Sequence, residues 1–381
     1  MISILFIHQS SDLYGSDKTL LLLLQQLDKK KYTAVVVLPL NGPLKEELEK
    51  IGVKVIISPV LKLYRNIFTP KNIVLFFNQL RTSLKTIKKL DDEYHFDIIY
   101  SNTLAVLLGA IYSRKAKIKH IWHVHEIIVH PKIIAKIFPK LLRKYADVVV
   151  CNSSATKNNL IVREPNLASK SIVILNGIEF NTNTISSLSK SEIGFKQNDC
   201  VITLAGRISR LKGHKWLLNT FTNYFSAYDN VKLLFVGSPV LGQEYYLSEI
   251  EQKIAENKLE DKVKILPFTK DLNAIWNITD IAVMPSTEAE SFGLVAVEAM
   301  YAQKPVIGSD LGGLKEIIQN NETGFLIEPN NEEAFSKALT TLIENPELRD
   351  LFGQKGHQRV KEEFSLDRYV KQFEVLFAKS T

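Results

Sequence analysis

Two carboxylates eight residues apart, Glu290 and Glu298, lie in a stretch that could bind and react. A short apolar run, 280–284, reads as a strand; the chain then turns over Pro285 and Ser286, and a helix is expected over 292–303. In that helix Glu298 is the only charge among Leu294, Val295, Ala296, Val297, Ala299 and Met300. A lone carboxylate on a helix that is apolar nearly all round must find a partner or shift its pKa. A Lys or Arg would serve. So would a pair of sugar hydroxyls, because an ionised carboxylate accepts two hydrogen bonds at once. The helix start between the two acids offers unpaired N–H groups and a positive dipole end, a seat for phosphate. Glu298, about six residues in, then lies roughly 9 Å along the axis, the reach from a diphosphate to a ribose.

A second constellation is basic. The strand 201–205 runs into Gly206-Arg-Ile-Ser-Arg-Leu-Lys-Gly213 and then an apolar helix over 214–225. Arg207 brings a planar donor fork and Lys212 a point charge, a set suited to an anion; a solvated basic loop is the alternative. The loop lacks the GK[ST] ending of a P-loop, which argues against ATP hydrolysis.

Near the other end, His8 closes a first strand, and Gly15 precedes a Leu-rich helix over 16–27. The pattern is not GxGxxG, so a nicotinamide dinucleotide is not expected. Gly15 is a turn, or a place where backbone approaches a ligand closely. Strand alternation puts His123 and His125 on one face near a carboxyl end. They read as zinc ligands lacking a third partner, as structural histidines, or as a site with His125 beside Glu126 at the mouth of a cleft.

The elements that must position these groups alternate throughout. Strands are expected at 2–7, 34–38, 53–57, 97–101, 118–123, 147–151 and 172–175, then at 201–205, 232–236, 264–266, 281–284, 305–307 and 325–327. Helical patterns separate them, the signature of parallel sheets covered by helices. Residues 178–198 are rich in Ser, Thr and Asn with little apolar period and read as a linker. The fold class is therefore α/β, with two doubly wound Rossmann-like domains, 1–177 and 199–363, facing across a cleft lined by carboxyl strand ends. A closing segment, 364–381, has helical apolar period.

With 381 residues the chain suits two domains. Cys151 and Cys200, without metal spacing, read as buried thiols of a reducing compartment. No signal peptide or membrane-spanning run is visible, so a cytoplasmic setting is expected. The net charge of +7 is uneven: residues 1–180 hold 26 Lys and Arg against 14 Asp and Glu. A basic first half implies an anionic surface as partner. There is no zinc spacing, RNP-like run or arginine-rich tract, so nucleic acid is not expected.

Taken together, three stretches resemble the retaining glycosyltransferases of family four, which have the GT-B fold. They are 206–213, the Glu-x7-Glu run Glu-Ala-Glu-Ser-Phe-Gly-Leu-Val-Ala-Val-Glu ending at Glu298, and Lys-Pro-Val-Ile-Gly-Ser-Asp-Leu-Gly-Gly-Leu-Lys-Glu ending at Glu316. Asn176-Gly177 and Thr323–Pro329 also fit, so nearly the whole chain is covered. The resemblance implies that Arg207 and Lys212 hold a donor diphosphate and neutralise the leaving group. It gives Glu298 to the ribose, Glu290 to the donor sugar, and the Phe292, Gly293 and Leu294 backbone to the phosphates. Gly15 resembles the glycine-rich loop under the phosphates, and His125 the histidine bordering the reacting sugar. Two departures stand out: Gly15-Ser16 replaces the usual Gly-Gly, and Ser291 stands where Gly is commoner.

The implied reaction moves a sugar, with retention, from a nucleotide-diphosphate sugar to a saccharide or lipid-linked saccharide acceptor in bacterial surface polysaccharide synthesis. Two cations and a helix start can take the place of a metal ion, and no Asp-x-Asp occurs; no cofactor is expected. The rivals are a nucleotide-sugar epimerase or sugar phosphorylase of the same architecture, or a non-catalytic binding subunit. Two basic segments lacking acidic residues, 62–89 and 130–144, predict a peripheral contact with an anionic membrane face.

Overall fold

The computed structural model describes residues 1–61, 70–180, 188–239, 242–269 and 272–381. The chain divides into two compact units, Met1–Glu179 with Ser365–Thr381, and Phe180–Phe364. Of the stretch read as a linker, 181–187 lies outside the described residues.

The first unit runs β1 (Ile2–His8), α1 (Gly15–Gln26), β2 (Tyr32–Leu38), α2 (Pro43–Lys50), β3 (Lys54–Ile57), α3 (Pro70–Tyr94) and β4 (Ile98–Asn102). It continues with α4 (Leu108–Ala116), β5 (Lys119–Val124), α5 (Lys132–Tyr145), β6 (Val148–Cys151), α6 (Ser154–Ile161) and β7 (Ser171–Val173). The second unit holds β8 (Cys200–Ala205), α7 (His214–Phe225), β9 (Val231–Val236), α8 (Tyr245–Glu256), β10 (Val263–Leu266), α9 (Asn273–Ile278) and β11 (Ile281–Met284). After these come α10 (Leu294–Tyr301), β12 (Val306–Ser309), α11 (Leu314–Ile317), β13 (Gly324–Ile327), α12 (Glu332–Glu344) and α13 (Pro346–Glu363). The last helix, α14 (Leu366–Lys379), belongs to the first unit.

Both sheets are parallel. Their orders are β3-β2-β1-β4-β5-β6-β7 and β10-β9-β8-β11-β12-β13. Each is wound outward in both directions from a central pair, β1 with β4 and β8 with β11. At such a switch point the loops leaving the two carboxyl ends diverge and open a crevice for ligands. Helices on both faces explain why the central strands read as unbroken apolar runs: Ile4, Leu5, Phe6 and Ile7 are all fully buried. Each strand expected from the pattern is present, with no end shifted by more than two residues.

One packing relationship closes the first unit. Ser365 caps α14 by accepting from the Arg368 N–H, and Tyr369, Phe373 and Phe377 bury themselves against Phe6 and Tyr100. The Leu366 N–H donates to the Ile178 carbonyl at 3.1 Å, so the two chain crossings leave this unit side by side. Cys151 and Cys200 are buried thiols, and burial pushes them up to about 12 and about 11.

Candidate active site

In the second unit, the loops after β8 and β11 meet beside their strand ends. Thr287 ties them together: its N–H donates to the Leu211 carbonyl and its hydroxyl to the Arg210 carbonyl, both at 3.0 Å. Arg210 pairs with Glu288 across the same seam. Deeper in, Lys212 Nζ lies 2.9 Å from Glu290 Oε1, and the Ser286 hydroxyl donates to the same oxygen. Burial pushes the Glu290 carboxyl up, but the Lys212 charge and the hydrogen bonds from Ser286 and Lys212 outweigh it and hold it below its ordinary value. The site keeps a charged pair poised at neutral pH. Arg207 stands exposed at the start of the first loop.

Glycines make the second loop possible. Gly312, at φ +64°, passes so close that a Cβ would meet the Glu290 carbonyl oxygen at 2.2 Å, and the next N–H, of Gly313, donates to that carbonyl. Gly293 corrects the expected helix. Its φ of +120° is not helical, so α10 begins at Leu294 rather than at Phe292, and it ends at Tyr301. Phe292 is buried against Phe364 and offers only backbone to a ligand. Glu298 is then one turn from the helix start, about 6 Å along the axis. It shares the partly exposed stripe with Leu294 and Val295, whereas Ala296, Val297, Ala299 and Met300 are buried.

The first unit assembles a different cluster at its own crossing point. His125 follows β5, and its ring centroid lies 3.8 Å from that of His123. The partner of His125 Nε2 is Asn102 Oδ1 at 2.9 Å, and that of His123 Nδ1 is the Tyr100 hydroxyl at 2.6 Å. These are amide and phenol partners, not the carboxylates or thiols of a zinc site. Burial pushes His125 down to about 3. Glu126 accepts from the Leu104 and His125 N–H groups, both at 3.0 Å, a backbone-holding role. Gly15 is the first residue of α1, and its φ is not positive.

Sequence reading passed over His8, Asp17, Asn102 and Ser286. His8 Nε2 lies 2.5 Å from Asp17 Oδ1 inside the first unit. The one signal for Asp17 was its place three residues after Tyr14, whose N–H it accepts at 2.9 Å as in a capping box. Strand pairing sets Asn102 opposite His8 and His123, and its amide reaches His125 just past β5, a meeting that no local pattern reveals.

Comparison with known proteins decides the class. The family model "Glycosyltransferase Family 4" matches residues 14–181, and "Glycosyl transferases group 1" matches 185–359. The chain is a glycosyltransferase of the GT-B type. The capsular polysaccharide biosynthesis glycosyltransferase CapM of Staphylococcus aureus is 27% identical to it over 323 residues, covering 80% of this chain and 83% of CapM. An uncharacterized glycosyltransferase of Methanocaldococcus jannaschii is 28% identical over 333 residues, 85% of this chain and 84% of the relative. Among solved structures, Anabaena HepE in complex with UDP-glucose superposes with a TM-score of 0.85 at 25% identity, over 100% of both chains. HepE with UDP gives 0.83 at 26%, over 99% and 100%. In this glycosyltransferase the two family models divide the chain close to the boundary between its two units, and the loops after β8 and β11 fall within the second match.

Proposed function

We propose that this glycosyltransferase moves one sugar, with retention and without a metal ion, from a nucleotide-diphosphate sugar to a saccharide or lipid-linked saccharide of a bacterial surface polysaccharide. The observation that carries the reading is the Lys212–Glu290 pair, set where the loops after β8 and β11 meet beside the start of α10. The chain's likeness to CapM and to HepE, solved with UDP and UDP-glucose, supports a polysaccharide setting and a nucleotide-sugar donor.

In this reading Arg207 and Lys212 take the diphosphate with the Phe292, Gly293 and Leu294 backbone, Glu298 takes the ribose hydroxyls, and Glu290 takes the sugar. Gly15 and His125 keep the roles that the family resemblance implies for them. The bond from the sugar's anomeric carbon to the diphosphate breaks, and the acceptor oxygen bonds to that carbon on the same face. The acceptor proton passes to the departing phosphate oxygen. Negative charge grows on the leaving group, so fixed cations there stabilise the transition state more than the ground state.

A membrane contact through α5 is part of the same reading. Ile133 and Ile137 are 66% and 40% exposed among the exposed Lys132, Lys136 and Lys140, while Ala135, Phe138 and Leu142 face the core. The other basic segment lies partly outside the described residues, at 62–69; farther on, Leu75 and Phe77 are exposed and Lys88 pairs with Asp92. Among the described residues no helix is long and apolar enough to cross a membrane.

A melting-temperature panel of nucleotides and nucleotide sugars, beginning with UDP-sugars, tests the donor class through linkage. A rise for one nucleotide sugar, followed by acceptor-dependent release of its diphosphate, is expected. No rise with any donor, or turnover that needs orthophosphate or no acceptor, would overturn the reading in favour of a phosphorylase or epimerase.

A further inference from the structure

A groove lies in the helical layer of the second unit, between α12 and the end of α7 with the turn after it. Its volume is about 360 Å³. Tyr224 and Tyr228 form one wall, and they remain 43% and 39% exposed. The other wall is a single face of α12, where Glu333, Lys337, Thr340 and Glu344 recur at helical spacing. From Glu333 to Glu344 that face runs about 16 Å along the axis, so the depression is elongated rather than a pit.

The aromatic wall is held in place before any ligand arrives. The Tyr228 N–H donates to the Phe225 carbonyl at 3.0 Å. Lys262 Nζ donates to the Ser226 and Tyr228 carbonyls at 2.6 and 2.9 Å, pinning the turn. Buried Phe225 backs both rings, its centroid 6.5 Å from that of Tyr224 and 5.7 Å from that of Tyr228. Asn223 Nδ2 donates to Glu332 Oε2 at 3.2 Å and ties α7 to α12. Rings fixed in advance lose little freedom on binding.

The polar heads are left to the groove. Glu333 and Lys337 stand four residues apart, in the order that favours an ion pair along a helix. Yet the side chains of Glu333, Lys337 and Glu344 make no ion pair or hydrogen bond among the described residues.

These groups suit one class of ligand. The face of a tyrosine ring is electron-rich, and the C–H face of a pyranose is apolar and faintly positive. A carboxylate accepts two hydroxyl hydrogens, a threonine hydroxyl donates and accepts, and Lys337 donates. Two carboxylates against one ammonium disfavour phosphates, uronates and nucleic acid. An apolar peptide would strip water from the charged heads and give them no partner.

We propose that this groove binds a neutral stretch of oligosaccharide, a segment of the acceptor glycan away from its reacting end. The inference rests on the reading above, in which the acceptor is a saccharide, and extends it to a second place on the chain. Tyr224 and Tyr228 stack on sugar rings, while Glu333 and Glu344 take pairs of hydroxyls. A glycan held here keeps its reacting end at a raised effective concentration, even where each contact alone is weak.

Maltohexaose, cellohexaose and laminarihexaose are the neutral probes, and hexagalacturonate is the charged control. Each is titrated into the full chain, and saturation-transfer NMR reads which sugar protons meet aromatic rings. At least one neutral hexasaccharide should bind through its ring C–H protons, with hexagalacturonate about tenfold weaker. Binding should persist with saturating UDP and in Lys212→Ala, which separates the groove from the transfer site. Tyr224→Ala with Tyr228→Ala should weaken it about tenfold, the scale of lost stacking, with the affinity for UDP unchanged. Thr340→Arg crowds the groove from the other wall and should weaken it as well, so the result does not hang on one variant folding. The proposal is overturned if no neutral hexasaccharide binds, if hexagalacturonate binds as tightly, or if UDP displaces the sugar. Unchanged affinity in the folded tyrosine variant or in Thr340→Arg overturns it too. If no nucleotide sugar is turned over at all, the functional reading fails, while the titrations still decide the groove.

Discussion

Lys212 Nζ and Glu290 Oε1, 78 residues apart in sequence, lie 2.9 Å from each other and join the loops that leave β8 and β11. Their side chains are 26% and 12% exposed, so the pair is shielded but still reachable from solvent. In the proposed reading an incoming diphosphate finds the cation already placed, and the sugar finds the carboxylate already charged.

Removing either cation from this place should slow transfer. Arg207→Ala and Lys212→Ala are each expected to lower kcat about 10²–10³-fold, the scale of losing one preorganised electrostatic stabiliser. Their stabilities should differ: Arg207 is exposed, whereas Lys212→Ala leaves the Glu290 carboxylate without its cation. Initial rates at saturating donor and melting curves measure both. Near-normal turnover in Arg207→Ala would move the diphosphate site elsewhere.

The pair also sets an acid limit. The folded Glu290 carboxyl titrates below its ordinary 4.5, so its contribution to stability is complete above about pH 4.5 and disappears as pH falls through the folded value. Urea unfolding of wild type and Glu290→Gln between pH 7 and pH 3 should give a stability gap that is constant near neutrality and narrows below pH 4.5. A gap that stays level down to pH 3 would show that Lys212 and Ser286 do not hold the charge.

Glu298 and Glu290 should separate in calorimetry with free nucleoside diphosphate. Glu298→Gln is expected to bind it more weakly, because the ribose contact belongs to the nucleotide. Glu290→Gln should bind it nearly as the wild type does and lose turnover instead. Equal, unchanged affinities in both variants would remove Glu298 from the ribose.

The last helix should be indispensable to the first unit. Phe373 is fully buried against Tyr100, His123, Tyr369 and Phe377. Phe373→Ala is expected to cost about 3–5 kcal/mol, as for other large aromatic truncations in a packed core. Denaturant unfolding followed by tryptophan fluorescence reads the loss, and a change below about 1 kcal/mol would mean the helix is loosely docked.

On α5, replacing Lys132, Lys136 and Lys140 with Glu should abolish sedimentation with anionic vesicles while leaving melting temperature unchanged, because these side chains are exposed. Wild-type binding should fade by 1 M salt, where screening shortens to about 3 Å. Binding that ignores lipid charge would return the helix to an ordinary wet surface.

The sequence by itself determined the two parallel-sheet domains, the loops that carry Arg207, Lys212 and Glu290, and the helix that carries Glu298. Strand pattern and strand-to-helix glycines are local signals, and a parallel sheet places such loops at its carboxyl edge. Local pattern failed at the start of α10, because apolar period continues through Phe292 while the backbone at Gly293 does not. Only the tertiary structure decided the partners. Ser286 with Lys212 on Glu290, and Asp17 with His8 and Asn102 behind His125, are brought together by loop packing and strand register. Hydrogen bonds between side chains depend on ångström-scale placement across distant strands, and residue types along a chain carry no record of that distance.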